Sequence, residues 1–392
     1  MQAFSRSWLS RLPFVIFGIF VASGWAADAG TPPHYLITND DAPVFVSGSS
    51  FYGIAANGQL TLQGRVPSGQ NGIGGGFFGA NRVRILNNGS NQCVYSSQAL
   101  LGQIAGTSLK TLTLGGQVSG SSIDTGSSNG VGLAMNTKYL YASFTDSNTI
   151  GTFLVKPGCS LSFVGDVHVI GLHAGVIDGM ALHGKLLVVT YGDGSIESFN
   201  VSLGTPVSNG DKQDSTGSAA GNTFPNGVDI TRDGRYAIFG DTSISTVVEV
   251  SNISSGKLTP TVVYHLGNTM SSSNVMLSPD ESLLYISNTQ GDRITAAFFN
   301  KNTGVLSKGC VSGRLKGYVT NWSYLGGLGL RDITGTGGTV YVAEFGGPSS
   351  IGMIQVTSSG GKCTLKEAAS SPISDPNSPG LLSIGTFPPR TF

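Results

Sequence analysis

Residues 224–250 read FPNGVDITRDGRYAIFGDTSISTVVEV. A turn at Pro225-Asn226-Gly227 opens a short strand. A second turn, Arg232-Asp233-Gly234, opens a strand rich in Tyr, Ile and Phe. A polar loop, Gly240-Asp241-Thr242, leads to a third strand over Thr246–Val250. The runs alternate and are too short for helices, so the block predicts three consecutive antiparallel strands.

Variants of this block recur along the chain. Its second strand begins at His34, Gln92, Lys138, Lys185, Arg235, Ser282 and Thr339, at spacings of 58, 46, 47, 50, 47 and 57 residues. A period of that size with about four strands per unit predicts a β-propeller. Each unit is too small to cover both of its faces, so it stacks on its neighbours around an axis. Seven second strands predict an all-β, seven-bladed propeller with four-stranded antiparallel blades. The first unit has no inner strand before His34. The spare segment Leu381–Phe387 is therefore expected to pair into the first blade, closing the ring and removing an open edge. The linker Ser202–Thr223 reads as an outer-strand region with an extended surface loop. Residues 30–392 are expected to form one domain.

Composition narrows the function classes. The 392 residues carry 22 Lys+Arg against 22 Asp+Glu, with no basic cluster, which argues against a nucleic-acid partner. The 58 glycines show no collagen period. At the N-terminus Arg6 and Arg11 precede an apolar run, Leu12–Val21. Ala27-Asp28-Ala29 fits a signal-peptidase site, with Gly24-Trp25-Ala26 as a second candidate. Residues 1–29 are expected to be a signal peptide, so the protein is expected to be exported to a periplasm or the medium, with no membrane span after cleavage. The four cysteines, Cys93, Cys159, Cys310 and Cys363, allow two disulfides in three pairings, and contain no CxxC.

Ser278-Pro-Asp-Glu-Ser-Leu-Leu-Tyr-Ile-Ser-Asn288 resembles the SPDGxxLYVxN signature of YVTN-type and lactonase-like propellers, and Arg232-Asp-Gly-Arg-Tyr-Ala-Ile238 is a looser copy. The resemblance extends from Asn129 to about Val356 and is weak over the first two blades. It implies the seven-bladed architecture, and activities that range from lactone hydrolysis to plain binding.

The turns entering the inner strands read Ser128-Asn129-Gly130, Ile177-Asp178-Gly179-Met180, Pro225-Asn226-Gly227 and Ser273-Asn274-Val275. Asn129, Asp178, Asn226 and Asn274 are expected to form an arc at one mouth of the central channel. Oxygen ligands from separate strands can hold Ca²⁺ or another divalent cation. The DGM and PNG wording resembles gluconolactonase-type turns, where an Asn and an Asp help bind a catalytic divalent metal. Here the two turns occur in the opposite order, and that family's third ligand, a Glu, has no match. Asn and Asp also cap turns through their own backbone.

The loops after the second strands carry Asp40, Asp41, Asp146, Asp193, Asp241, Asp292 and Glu344, which predict an acidic face able to draw a basic partner or cations. His168 and His173 lie close in sequence to Asp178, as a general base would. Gly126-Ser-Ser-Asn-Gly130 matches GxSxG without a strand-to-helix elbow, and Gly74–Gly79 matches GxGxxG ahead of a strand. Two functions follow from this reading. One is a monomeric binding propeller that takes a small molecule or protein at the channel mouth and acidic face. The other is a lactonase-like hydrolase, with Asp178 and the three Asn holding a metal that activates water.

Overall fold

In the computed structural model the described residues are 34–40, 47–68, 83–89, 91–98, 102–110, 113–119, 132–217, 224–242, 247–266, 271–288, 291–317, 324–334, 337–345, 349–375, 383–387 and 389. The expected signal peptide, Asp41, Asn129 and both glycine-rich motif matches lie outside them.

The strands form seven antiparallel sheets, five of four strands and two of five. The chain is a seven-bladed β-propeller. The inner strands of blades 1 to 7 are Ser383–Phe387, Val83–Asn87, Leu133–Met135, Ile177–His183, Pro225–Ile230, Ser272–Leu277 and Tyr324–Thr334. Ser383–Phe387 runs beside Tyr35–Asn39, with Tyr35 opposite Phe387 and Asn39 opposite Ser383. The tail thus supplies the strand that blade 1 lacks, as expected from the unpaired start. In the linker after blade 4, Val207–Ser208 and Gln213–Asp214 both pair with the third strand, Ser195–Asn200.

The core is divided by blade. Seven apolar clusters each straddle one interface between neighbouring blades. Tyr141, Leu187 and Phe199 share the cluster between blades 3 and 4, and Leu36, Tyr341 and Met353 share that between blades 7 and 1. Alternation explains this, because each strand sends successive side chains to opposite faces and both faces meet a neighbour. Two buried tyrosines tie interfaces further: Tyr141 donates to Gly204 O of blade 4 at 2.8 Å, and Tyr341 to Gly58 O of blade 1 at 2.7 Å.

The disulfides are also placed between blades. Cys93, in the second strand of blade 2, joins Cys159 of blade 3 with Cα atoms 5.4 Å apart. Cys310 and Cys363, on the outer strands of blades 6 and 7, are joined with Cα atoms 5.6 Å apart. This resolves the three pairings left open by sequence. Cys159 and Cys363 each bond to a cysteine of the adjacent blade and not to each other, since only neighbouring blades are close enough to bridge.

Neighbouring inner strands touch through glycine. A Cβ on Gly179 would overlap the carbonyl oxygen of Asn226, and one on Gly227 would overlap that of Ser273. Gly179→Ala must push blades 4 and 5 apart, so it is expected to lower stability by about 2–3 kcal/mol in urea unfolding. A loss under about 0.5 kcal/mol, the ordinary surface value, would contradict this contact.

Candidate functional site

The residues expected at the channel mouth sit on bulges in the inner strands. In blade 4 the register slips between Ile177 and Gly179, leaving Asp178 as the extra residue. In blade 5 it slips between Pro225 and Val228, at Asn226-Gly227, and in blade 6 between Ser272 and Asn274, at Ser273. Bulges re-aim a side chain and raise local twist. Those of blades 4 and 6 are pinned by a hydroxyl from the second strand, and blade 3 carries the same clasp. Thr190 Oγ1 accepts Gly179 N at 2.9 Å, Ser287 Oγ accepts Asn274 N at 3.1 Å, and Ser143 Oγ accepts Gly132 N at 2.8 Å. Blade 5 has Gly240 at the corresponding place.

These clasps set which residues are equivalent. Asn274 takes the position of Gly179, so Ser273, not Asn274, corresponds to Asp178. The structure brings Asp178 and Asn226 to neighbouring positions, with Thr190 Oγ1 also donating to Asn226 O at 3.3 Å. It places Asn274 one residue further along, its backbone engaged in the clasp. Asn129 falls outside the described residues. Sequence reading overlooked the clasp, although its signal is present: the fifth residue after the second-strand starts Lys138, Lys185 and Ser282 is Ser143, Thr190 and Ser287.

Asp178 is half-buried and makes no hydrogen bond among the described residues. Its carboxyl lies beside Gly192, 3.6 Å from where a Cβ there would sit. Burial pushes its pKa up to about 7, with no cation near enough to oppose the shift. A group that water reaches only inside an enclosed channel behaves this way. Asn226 is 3% exposed and its Oδ1 has no hydrogen-bond partner. An unsatisfied buried acceptor beside a channel is what a ligand's donor would fill. Exposed apolar side chains stand close to this pair in the chain. Leu172 and Val176, in the loop entering blade 4, are 47% and 39% exposed, and Phe224, entering blade 5, is 45% exposed.

The acidic face takes a different form from the one predicted. Asp40, Asp241, Asp292 and Glu344 are buried and Asp146 is exposed. Asp40 accepts from Thr38 Oγ1 at 2.6 Å and pairs with Arg65 Nε at 2.6 Å. Ser350 Oγ donates to Glu344 at 2.5 Å. Asp193 is spent on local backbone, accepting from the amides of His173 at 2.7 Å and Gly175 at 2.8 Å. The acids close the strand ends and hold loops, so most of their charge is withdrawn from solvent. His168 and His173 are exposed. His168 Nδ1 lies 3.2 Å from Ser147 O, and His173 Nε2 lies 3.4 Å from Asp214, so neither is directed at Asp178.

A divalent cation fits this set poorly. Among the described residues no three His, Cys, Asp or Glu side chains converge. Among the described residues the bulge positions next to Asp178 carry the neutral Asn226 and Ser273, whereas Ca²⁺ takes six to eight oxygens and its affinity follows their charge.

Solved structures resemble most of this chain. A candidate 6-phosphogluconolactonase of Bacteroides fragilis superposes with a TM-score of 0.72 at 13% identity, covering 92% of this chain and 99% of that one. What they share is the propeller. A functionally unknown protein of Desulfotomaculum acetoxidans gives 0.63 at 12% identity, covering 89% and 99%. A second candidate 6-phosphogluconolactonase, from Bacteroides uniformis, gives 0.52 at 17%, covering 68% and 78%. No family model and no curated relative matches the sequence, the YVTN family included. At these identities the likeness carries the architecture alone. Among the described residues no helix is long and apolar enough to cross a membrane.

Proposed function

We propose that the protein is a binding propeller that takes a small molecule at the channel mouth, with its polar end at Asp178 and Asn226 and its apolar body against Leu172, Val176 and Phe224. The observation that carries this reading is the orphaned Asn226 Oδ1, buried beside an unpartnered carboxyl and close in the chain to exposed apolar side chains. A concave, largely apolar site with a few convergent polar groups is the usual form of a small-molecule pocket. The buried acids favour the mouth over an acidic face as the point of contact. Export is part of the proposal, supported by the N-terminal pattern and by two disulfides, which persist in oxidising compartments.

A second reading is lactone hydrolysis without a metal. It is favoured by Asp178, whose pKa near 7 suits a general base at neutral pH, and by the two candidate 6-phosphogluconolactonases that share the fold. Calorimetric titration of glucono-1,5-lactone, with a pH-stat recording acid release, separates the two. Binding that Asn226→Ala weakens about tenfold, without acid release above the uncatalysed rate, supports the binding propeller. Acid release that Asp178→Asn abolishes replaces it with the hydrolase. No saturable heat and no acid release count against both for this ligand class.

A further inference from the structure

The channel holds a cation that sequence reading did not single out. Arg84 lies on the inner strand of blade 2 and is half-buried. Its Nε donates to Leu133 O, on the inner strand of blade 3, at 2.7 Å. That bond fixes the plane of the guanidinium. Among the described residues no carboxylate lies within ion-pair distance, and no acceptor meets the two terminal NH₂ groups. Arg84 nevertheless interacts electrostatically with Asp229, on the inner strand of blade 5. Blades 2 and 5 are three steps apart in a ring of seven, so this interaction runs through the central channel.

Register puts the two at one level. Val83 pairs with Ser96 and Val228 with Phe239, each four residues after the second-strand starts Gln92 and Arg235. Arg84 and Asp229 are the next residues along. Asp229 does not close the channel, because its carboxylate is tied to the wall. Oδ1 accepts from Ile230 N at 2.9 Å, and Oδ2 from Leu277 N of blade 6 at 2.8 Å. Burial pulls the Arg84 pKa down to about 10, which still leaves it charged at neutral pH. A charged guanidinium in a confined space, with one N–H anchored and its far edge open, is suited to a two-point oxyanion.

We infer that Arg84 is the seat of an anionic group, a carboxylate or a phosphate, carried by the ligand that enters at Asp178 and Asn226. The inference rests on the channel-binding reading and extends it by naming the ligand's charge. Asp178 is the extra residue between Ile177 and Gly179, and Ala181 is level with Arg84, so Asp178 lies between two and three ladder steps nearer the mouth. At about 3.3 Å per step the two are separated by roughly 8 Å along the axis. The ligand class is therefore an acid long enough to span them, with its anionic end inward.

The test titrates potassium phosphate and, separately, sodium gluconate into the full-length protein at constant ionic strength, with chloride as the control anion. Saturable binding of either, weakened about ten- to a hundredfold by Arg84→Gln and less by Arg84→Lys, is expected, because lysine keeps the charge and loses the two-point geometry. Binding of gluconate alone identifies a carboxylate, and of phosphate alone a phosphate. No saturable binding of either anion to the wild type overturns the inference, as does equal binding by Arg84→Gln. If Arg84→Gln does not fold, judged by circular dichroism, the comparison falls to Arg84→Lys, where unchanged affinity overturns it. Glucono-1,5-lactone, which is neutral, separates this failure from that of the channel reading: lactone binding lost in Asn226→Ala but kept in Arg84→Gln retains the mouth and removes the anion seat.

Discussion

Replacing Cys93 and Cys159 together by alanine is expected to lower the unfolding free energy by about 4 kcal/mol. The crosslink spans 66 residues, and closing a loop of that length in the unfolded chain restricts it by roughly that amount. Alanine is chosen because both cysteines are buried, Cys93 at 0% and Cys159 at 2% exposed, and a serine hydroxyl would add a desolvation cost. The same change at Cys310 and Cys363, separated by 53 residues, is expected to have a nearly equal effect, since the entropy varies only with the logarithm of loop length. Urea unfolding with and without reductant measures both. The reduced wild type, which lacks both crosslinks, should match each double variant in reductant and be less stable than either variant without it. A loss under about 1 kcal/mol in either pair would mean that residual contacts already confine the unfolded chain.

Stability should also fall as the pH rises from about 5 to 8. Glu249, in the third strand of blade 5, is 0% exposed. Burial is the main cause that pushes its pKa from 4.5 up to about 8. The buried Asp241 adds to the shift, and the Ser215 hydroxyl opposes it. The folded protein therefore keeps a proton that the unfolded chain releases above about 4.5. The associated stability is complete below that pH and is lost as pH climbs to about 8. At 1.36 kcal/mol per pH unit the loss is on the order of 5 kcal/mol for this one group. Glu344 and Asp178, each raised to about 7, and Asp40, raised to about 6, act in the same direction. Asp193, Asp233 and Asp280 are shifted downward, so their effect falls below this window. Glu249→Gln, which cannot ionise, is expected to be more stable than wild type at pH 8 and to flatten the profile. A variant profile as steep as that of the wild type would assign the effect to the other carboxyls.

The architecture was legible because a propeller repeats its signal. The second strand of each blade is a run such as Leu283–Asn288, buried at every position, and its neighbours at fixed intervals made the count secure. The closing strand was legible for the same reason, as the one segment without a partner. The site was less so. Asp178 and Asn226 stood out as candidates because polar turn residues are conspicuous before apolar strands, but a one-residue bulge shift separates Asn274 from them, and a linear alignment cannot register a bulge. The acids after the second strands were visible, yet their direction was not. Turn chemistry looks alike whether a carboxylate meets water, as at Asp146, or a serine and an arginine inside the fold, as at Asp40. Arg84 was passed over because its significance depends on facing Asp229, 145 positions further along the sequence, across the ring.

The pairing of Ser383–Phe387 with Tyr35–Asn39 fixes when the molecule can become whole. Blades 2 to 7 can each assemble as their residues emerge, in the order of synthesis. Blade 1 cannot, because its innermost strand is made about 340 residues after the strand it joins. Until then the Tyr35–Asn39 edge is exposed and able to pair with another chain. A nascent chain thus carries this edge first and protects it last, and the channel acquires its final wall only in that closing step.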